Sequence, residues 1–98
     1  MARKKIEPNE AVEVAFSARD RERILEHTLA GPDVTDRLRI AEVRGSKLMA
    51  KFTLDELDYL IGFIAAEANH TRDRKLRNAL DRLYERLATI METYDDGQ

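Results

Sequence analysis

At 98 residues the chain has room for one compact domain, and its 43% hydrophobic content is too high for a disordered tail. Seventeen Lys and Arg against nineteen Asp and Glu leave a formal charge of −2, which argues against a general nucleic-acid coat. No apolar run approaches the ~20 residues of a membrane-spanning helix, and the absence of cysteine excludes disulfides, thiolate metal sites and thiol chemistry.

Residues 1–10 show no periodicity to bury and are expected to form a disordered N-terminal tail. The early charges are not followed by the apolar core of about 7–15 residues that a secretory signal carries, and no glycine follows Met1 for myristoylation. A cytoplasmic location is therefore expected. One α+β domain is expected over 11–94, with a frayed polar end at 95–98. It begins with Val12, Val14 and Phe16 alternating with Glu13 and Ala15, the pattern of a strand with one buried face. Ser17-Ala-Arg-Asp20 follows as a capping box with Asp in the usual Glu or Gln position, and predicts a helix to about Leu29. Gly31 suits the left-handed position after a helix, and Pro32 forbids continuation.

Residues 38–53 read as a β-hairpin. Gly45-Ser46 fits a two-residue type II′ turn, in which glycine takes the positive φ of the first position. That turn pairs Arg44 with Lys47, Val43 with Leu48, Ala41 with Ala50 and Arg39 with Phe52. Val43, Leu48, Ala41, Ala50 and Phe52 then share an apolar face, and a one-residue slip would mix it with charge. The opposite face carries Leu38, Ile40 and Met49 together with Glu42, Arg44, Lys47 and Lys51.

Thr53-Leu-Asp-Glu56 is a full capping box, with Phe52 and Leu57 as its hydrophobic staple. The helix it opens is expected to reach about Ala68, with an apolar arc through Leu54, Leu57, Leu60, Ile61, Phe63 and Ile64 too wide for one neighbour. Thr71 is positioned to cap the last helix. There Leu76, Leu80, Leu83, Leu87, Ile90 and Tyr94 recur at steps of four and three, the seam of a helical hairpin or short coiled coil. Gly62 and Ala66, with Tyr59, lie off the main stripe of the preceding helix. Glycine there suggests close approach of another helix.

The predicted order is β-α-β-β-α-α: a small, mostly antiparallel three-stranded sheet with helices on one face and a C-terminal helical hairpin. A right-handed crossover with the third strand between the other two gives the order 2-3-1; the order 1-2-3 is the alternative. Phe16-Ser17, Asp20, Ile24 and Leu25 match Phe52-Thr53, Glu56, Leu60 and Ile61 at one constant offset. This internal repeat reads either as a duplication or as the grammar of any strand entering a capped helix. Both readings predict that the two junctions look alike.

Three constellations bear on chemistry. Residues 37–51 hold Arg37, Arg39, Arg44, Lys47 and Lys51 against Glu42 alone, a local +4. A basic β-ribbon of this kind can enter a DNA groove through Arg39, Arg44, Lys47 and Lys51. The acidic pI and the lack of an exposed aromatic platform in the hairpin oppose that reading. Glu67-x-x-His70 has the spacing of one of the two Glu-x-x-His pairs that a di-iron set needs beside two further glutamates, a remote metal-binding alternative, and a histidine near a helix C-terminus has a structural role of its own. Asp55, Glu56 and Asp58 sit where a helix N-terminus favours acids, and Ser17 and Ser46 are taken by a cap and a turn. No nucleophile, base and electrophilic stabiliser assemble, so neither enzymatic activity nor a cofactor is expected. The reading favoured by sequence is a protein-interaction module, a homo-oligomer or a partner of another protein. Its interface would be Leu38, Ile40 and Met49 ringed by Arg44, Lys47 and Lys51. A second route would pair the last helix with its copy through Leu83, Leu87 and Ile90.

Overall fold

A computed structural model describes residues 3–97; Met1, Ala2 and Gln98, the extremities of the expected tail and frayed end, lie outside the described residues. In chain order these form β1 (Lys4–Lys5), β2 (Val12–Phe16), α1 (Ala18–His27), α2 (Pro32–Arg39), β3 (Glu42–Arg44), β4 (Lys47–Phe52), α3 (Leu54–His70), α4 (Arg74–Glu92) and β5 (Tyr94–Asp95). The fold is α+β. β4 lies between β2 and β3 and is antiparallel to both, which is the expected 2-3-1 order with the three main strands counted alone.

Alternation decides which sheet face is buried. Val12, Val14, Phe16, Leu48, Ala50 and Phe52 turn inward and are nearly inaccessible, while Glu13, Lys47 and Lys51 on the other face are exposed. Phe16 and Phe52 meet edge to face with centroids 6.0 Å apart, a geometry that adds about 0.5–1.5 kcal/mol to their burial. Leu57, Leu60 and Ile64 of α3 and Leu80, Leu83 and Leu87 of α4 complete the same core. The three-residue link between α3 and α4 folds them into the expected helical hairpin, whose seam these leucines fill.

Both strand-to-helix junctions close as full capping boxes. The Asp20 amide donates to Ser17 Oγ at 3.0 Å and the Ser17 amide to Asp20 Oδ2 at 3.1 Å. The Glu56 amide donates to Thr53 Oγ1 at 3.1 Å and the Thr53 amide to Glu56 Oε1 at 2.9 Å. The two junctions also face each other symmetrically. Val14 pairs with Ala50, Phe16 with Leu48 and Val12 with Phe52, so matching residues are related by a local two-fold axis through the Val14–Ala50 pair.

Four expectations are corrected. Gly31-Pro32 does not merely end a helix; it starts one. Gly31 has an ordinary φ of −78° as N-cap, and Pro32 occupies the first turn of α2, where its missing N–H is not needed. Asp33 in the first turn and Arg37 and Arg39 in the last suit the helix dipole. Val34 and Leu38, four apart on one face, are both buried. The hairpin therefore begins at Glu42, and Arg39 cannot pair with Phe52. Second, part of the N-terminal segment expected to be disordered is paired: β1 runs parallel to β5, Lys4 N–H donates to the Thr93 carbonyl at 2.8 Å and Ile6 N–H to the Asp95 carbonyl at 2.9 Å. Third, Thr71 ends α3 instead of starting α4, whose N-cap is Asp73, with Oδ1 accepting from Lys75 N–H at 2.9 Å. Fourth, among the described residues no helix approaches Gly62, since a Cβ built there meets nothing within 4 Å.

Candidate interaction surface

The site is organised by the β3–β4 turn. Gly45 has φ +60° while Ser46 does not have a positive φ, the type II′ pattern that matches the twist of the flanking strands. Arg44 pairs with Lys47, Val43 with Leu48 and Glu42 with Met49, as the turn requires. Glu42, Arg44, Lys47, Met49 and Lys51 consequently share the outer face with Glu13 and Ala15 of β2.

Of the apolar residues expected on this face, Met49 is there, half-buried. Ile40, the residue that ends α2, is 81% exposed. It joins Met49 and Ala41 in lining a groove of about 260 Å³ rimmed by Glu13, Arg37, Glu42 and Lys51. Leu38 does not belong to the surface. The helix carries it into the core, where it is 0% exposed. Val43 is the opposite case: its side chain points to the buried side of the sheet, yet it is 69% exposed. At the sheet margin, the helical layer that covers Leu48 does not reach it. Its outlying position was not readable from alternation, which marks faces but not how far a covering layer extends.

The basic residues are less free than their sequence suggests. Arg44 donates through Nη1 to Glu13 Oε1 at 2.7 Å and through Nη2 to Glu42 Oε2 at 3.1 Å. The hydrogen bond from Arg44, and then its charge, hold the Glu42 carboxyl below the usual carboxylate range. The bonds to Glu42 and Glu13 raise the Arg44 pKa in return. Arg39 reaches Asp36 at 3.4 Å and Arg37 Nε reaches Glu56 at 2.8 Å. Among the described residues, Lys47 and Lys51 have no carboxylate at ion-pair distance. For a nucleic-acid ribbon through Arg39, Arg44, Lys47 and Lys51, two of the four cations are thus already engaged within the chain.

The remaining candidates are dispersed. Glu67 is half-buried and His70 exposed at the end of α3. Among the described residues, no group of three or more His, Cys, Asp or Glu is placed to hold a metal ion. Asp55 and Asp58 are exposed at the start of α3 while Glu56 closes its cap. Among the described residues, Leu83 and Leu87 are 3% and 0% exposed within the core and Ile90 is half-buried against it, so this stretch of α4 already packs within its own chain. Among the described residues, no helix is long and apolar enough to cross a membrane. Comparison with protein-family models, curated proteins and solved structures finds no match to this chain.

Proposed function

We propose that the chain is a small, non-catalytic protein-interaction module of the cytoplasm, which associates with a second copy of itself through the outer margin of its hairpin. The observation that carries this reading is the exposure of two large apolar side chains, Ile40 at 81% and Val43 at 69%, at one margin of the sheet. Half-buried Met49 lies beside Ile40 in a groove rimmed by Glu13, Arg37, Glu42 and Lys51, and Arg44 and Lys47 share the outer sheet face with Met49. Apolar residues within a charged rim are the usual anatomy of a protein–protein contact. The non-catalytic part of the reading rests on the sequence, in which the serines and the clustered carboxylates already have cap and turn roles.

Size-exclusion chromatography with light scattering tests the proposal. A mass above 11.3 kDa at high micromolar concentration is expected, with Ile40→Glu and Met49→Glu each shifting the equilibrium to monomer while leaving the circular dichroism unchanged. A strict monomer for the unmodified chain would overturn it.

A further inference from the structure

We propose that β3 is a self-complementary edge, along which two copies of the chain join their sheets antiparallel about a two-fold axis at Val43. This rests on the self-association reading and names the atoms that perform it.

The three-stranded sheet has two edges, and among the described residues β3 carries the one whose outward backbone groups have no hydrogen-bond partner on the strand itself. A two-residue turn makes its closing pair, Arg44 and Lys47, hydrogen-bonded. Antiparallel ladders alternate, so Glu42–Met49 is also bonded and Val43–Leu48 is not. The N–H and C=O of Val43 therefore point away from β4. The same alternation carried across β4 turns the Ala15 carbonyl outward on β2, and there Arg86 Nη1 donates to it at 2.7 Å. α4 thus occupies part of the β2 edge with a side chain. Among the described residues, nothing outside the ladder hydrogen-bonds the backbone of residues 42–44.

Charges on an edge strand ordinarily repel a second strand. Here they select one. Glu42 and Arg44 flank Val43 on the same face with opposite signs; Arg44 already bonds Glu13 and Glu42 within the chain, so a second copy's charges would extend that cluster. Antiparallel pairing centred on Val43 sets each Glu42 opposite the second copy's Arg44, while parallel in-register pairing would stack like on like. Moving the axis to Glu42 or to Arg44 loses both charge pairs. In the Val43 register the two valines exchange both backbone bonds, and the flanking charges occupy the closer, non-hydrogen-bonded pairs. The interface is isologous, so it closes at a dimer without propagating. A short edge contributes less area than standard interfaces, which places this dimer among weak, concentration-dependent ones.

Sedimentation equilibrium at low salt on the full chain tests the proposal. Glu42→Arg and Arg44→Glu, each of which places like charges opposite at two positions, are expected to weaken the dimer about tenfold or more. The combined E42R/R44E chain is expected to dimerise more tightly than either single variant, short of the parent because R44E gives up the ion pair with Glu13. Val43→Pro removes the outward N–H without touching the ladder to β4, so it should abolish the dimer while circular dichroism and melting temperature hold. A dimer that survives Val43→Pro, or a combined variant no tighter than the single ones, overturns the edge assignment and leaves self-association standing elsewhere on the molecule. A wild-type monomer at every concentration overturns both.

Discussion

Two carboxylates, Asp20 and Glu56, each serve two masters. Asp20 closes the Ser17 capping box and also accepts from Arg86 Nη2 of α4 at 3.2 Å. Glu56 closes the Thr53 box and accepts from Arg37 Nε of α2 at 2.8 Å. Each carboxylate therefore ties a helix start to a different helix, and the guanidinium of Arg86 also lies over the Phe16 ring, 5.6 Å from its centroid. Among the described residues, the two hydroxyls serve the cap alone. Ser17→Ala and Thr53→Ala are each expected to destabilise the fold by about 1 kcal/mol, the usual worth of an N-cap side chain. Urea denaturation reads this directly; an unchanged midpoint in either variant would show that the box contributes nothing there. The boxes are legible in the sequence because they are local, with partners three residues apart. Their arginines are not, because they arrive from 66 and 19 residues away.

Among the elements, α3 carries the one helical glycine. Gly62 faces open space, so it has no steric reason to lack a side chain. Gly62→Ala is expected to raise stability by about 0.5–1 kcal/mol through backbone entropy alone. A loss in thermal or chemical denaturation would mean that something packs against that face. α2 shows why a short element escapes a pattern reading. Its eight residues hold just two large apolar side chains, Val34 and Leu38, and a spacing of four repeated once is no periodicity. Alternation then assigns Leu38 and Ile40 to a strand with equal ease. The α3–α4 hairpin was legible because its leucines recur through several turns, and chance does not sustain that.

The whole molecule is a sheet with one dry face, closed over by helices that share a single core. Leu38 is where α2 enters that core, at 0% exposure, while Ile40 two residues on is 81% exposed. Leu38→Ala is expected to destabilise by about 2–5 kcal/mol, and Ile40→Ala to stay within about 0.5 kcal/mol of the parent in the monomer. Equal effects, measured by denaturant titration at a concentration below association, would return both residues to one hairpin face. The contrast also separates what folds the chain from what does not, since Ile40 and Val43, both largely exposed, contribute little to the core.

The residues by themselves determined the capped junctions, the turn at Gly45, the register of β3 on β4 and the helical hairpin, while the strand order, favoured by the crossover rule over 1-2-3, was decided by the tertiary structure. Each of the former follows from interactions within a few residues or from a pattern repeated often enough to mark a face. Tertiary structure alone decided that residues 32–39 are helical, that β1 pairs with β5, and that Val43 stays exposed although it points to the buried side. Those outcomes depend on what another part of the chain covers. A short segment has nearly equal local preferences for helix and strand, and the apolar area it buries against distant neighbours chooses between them.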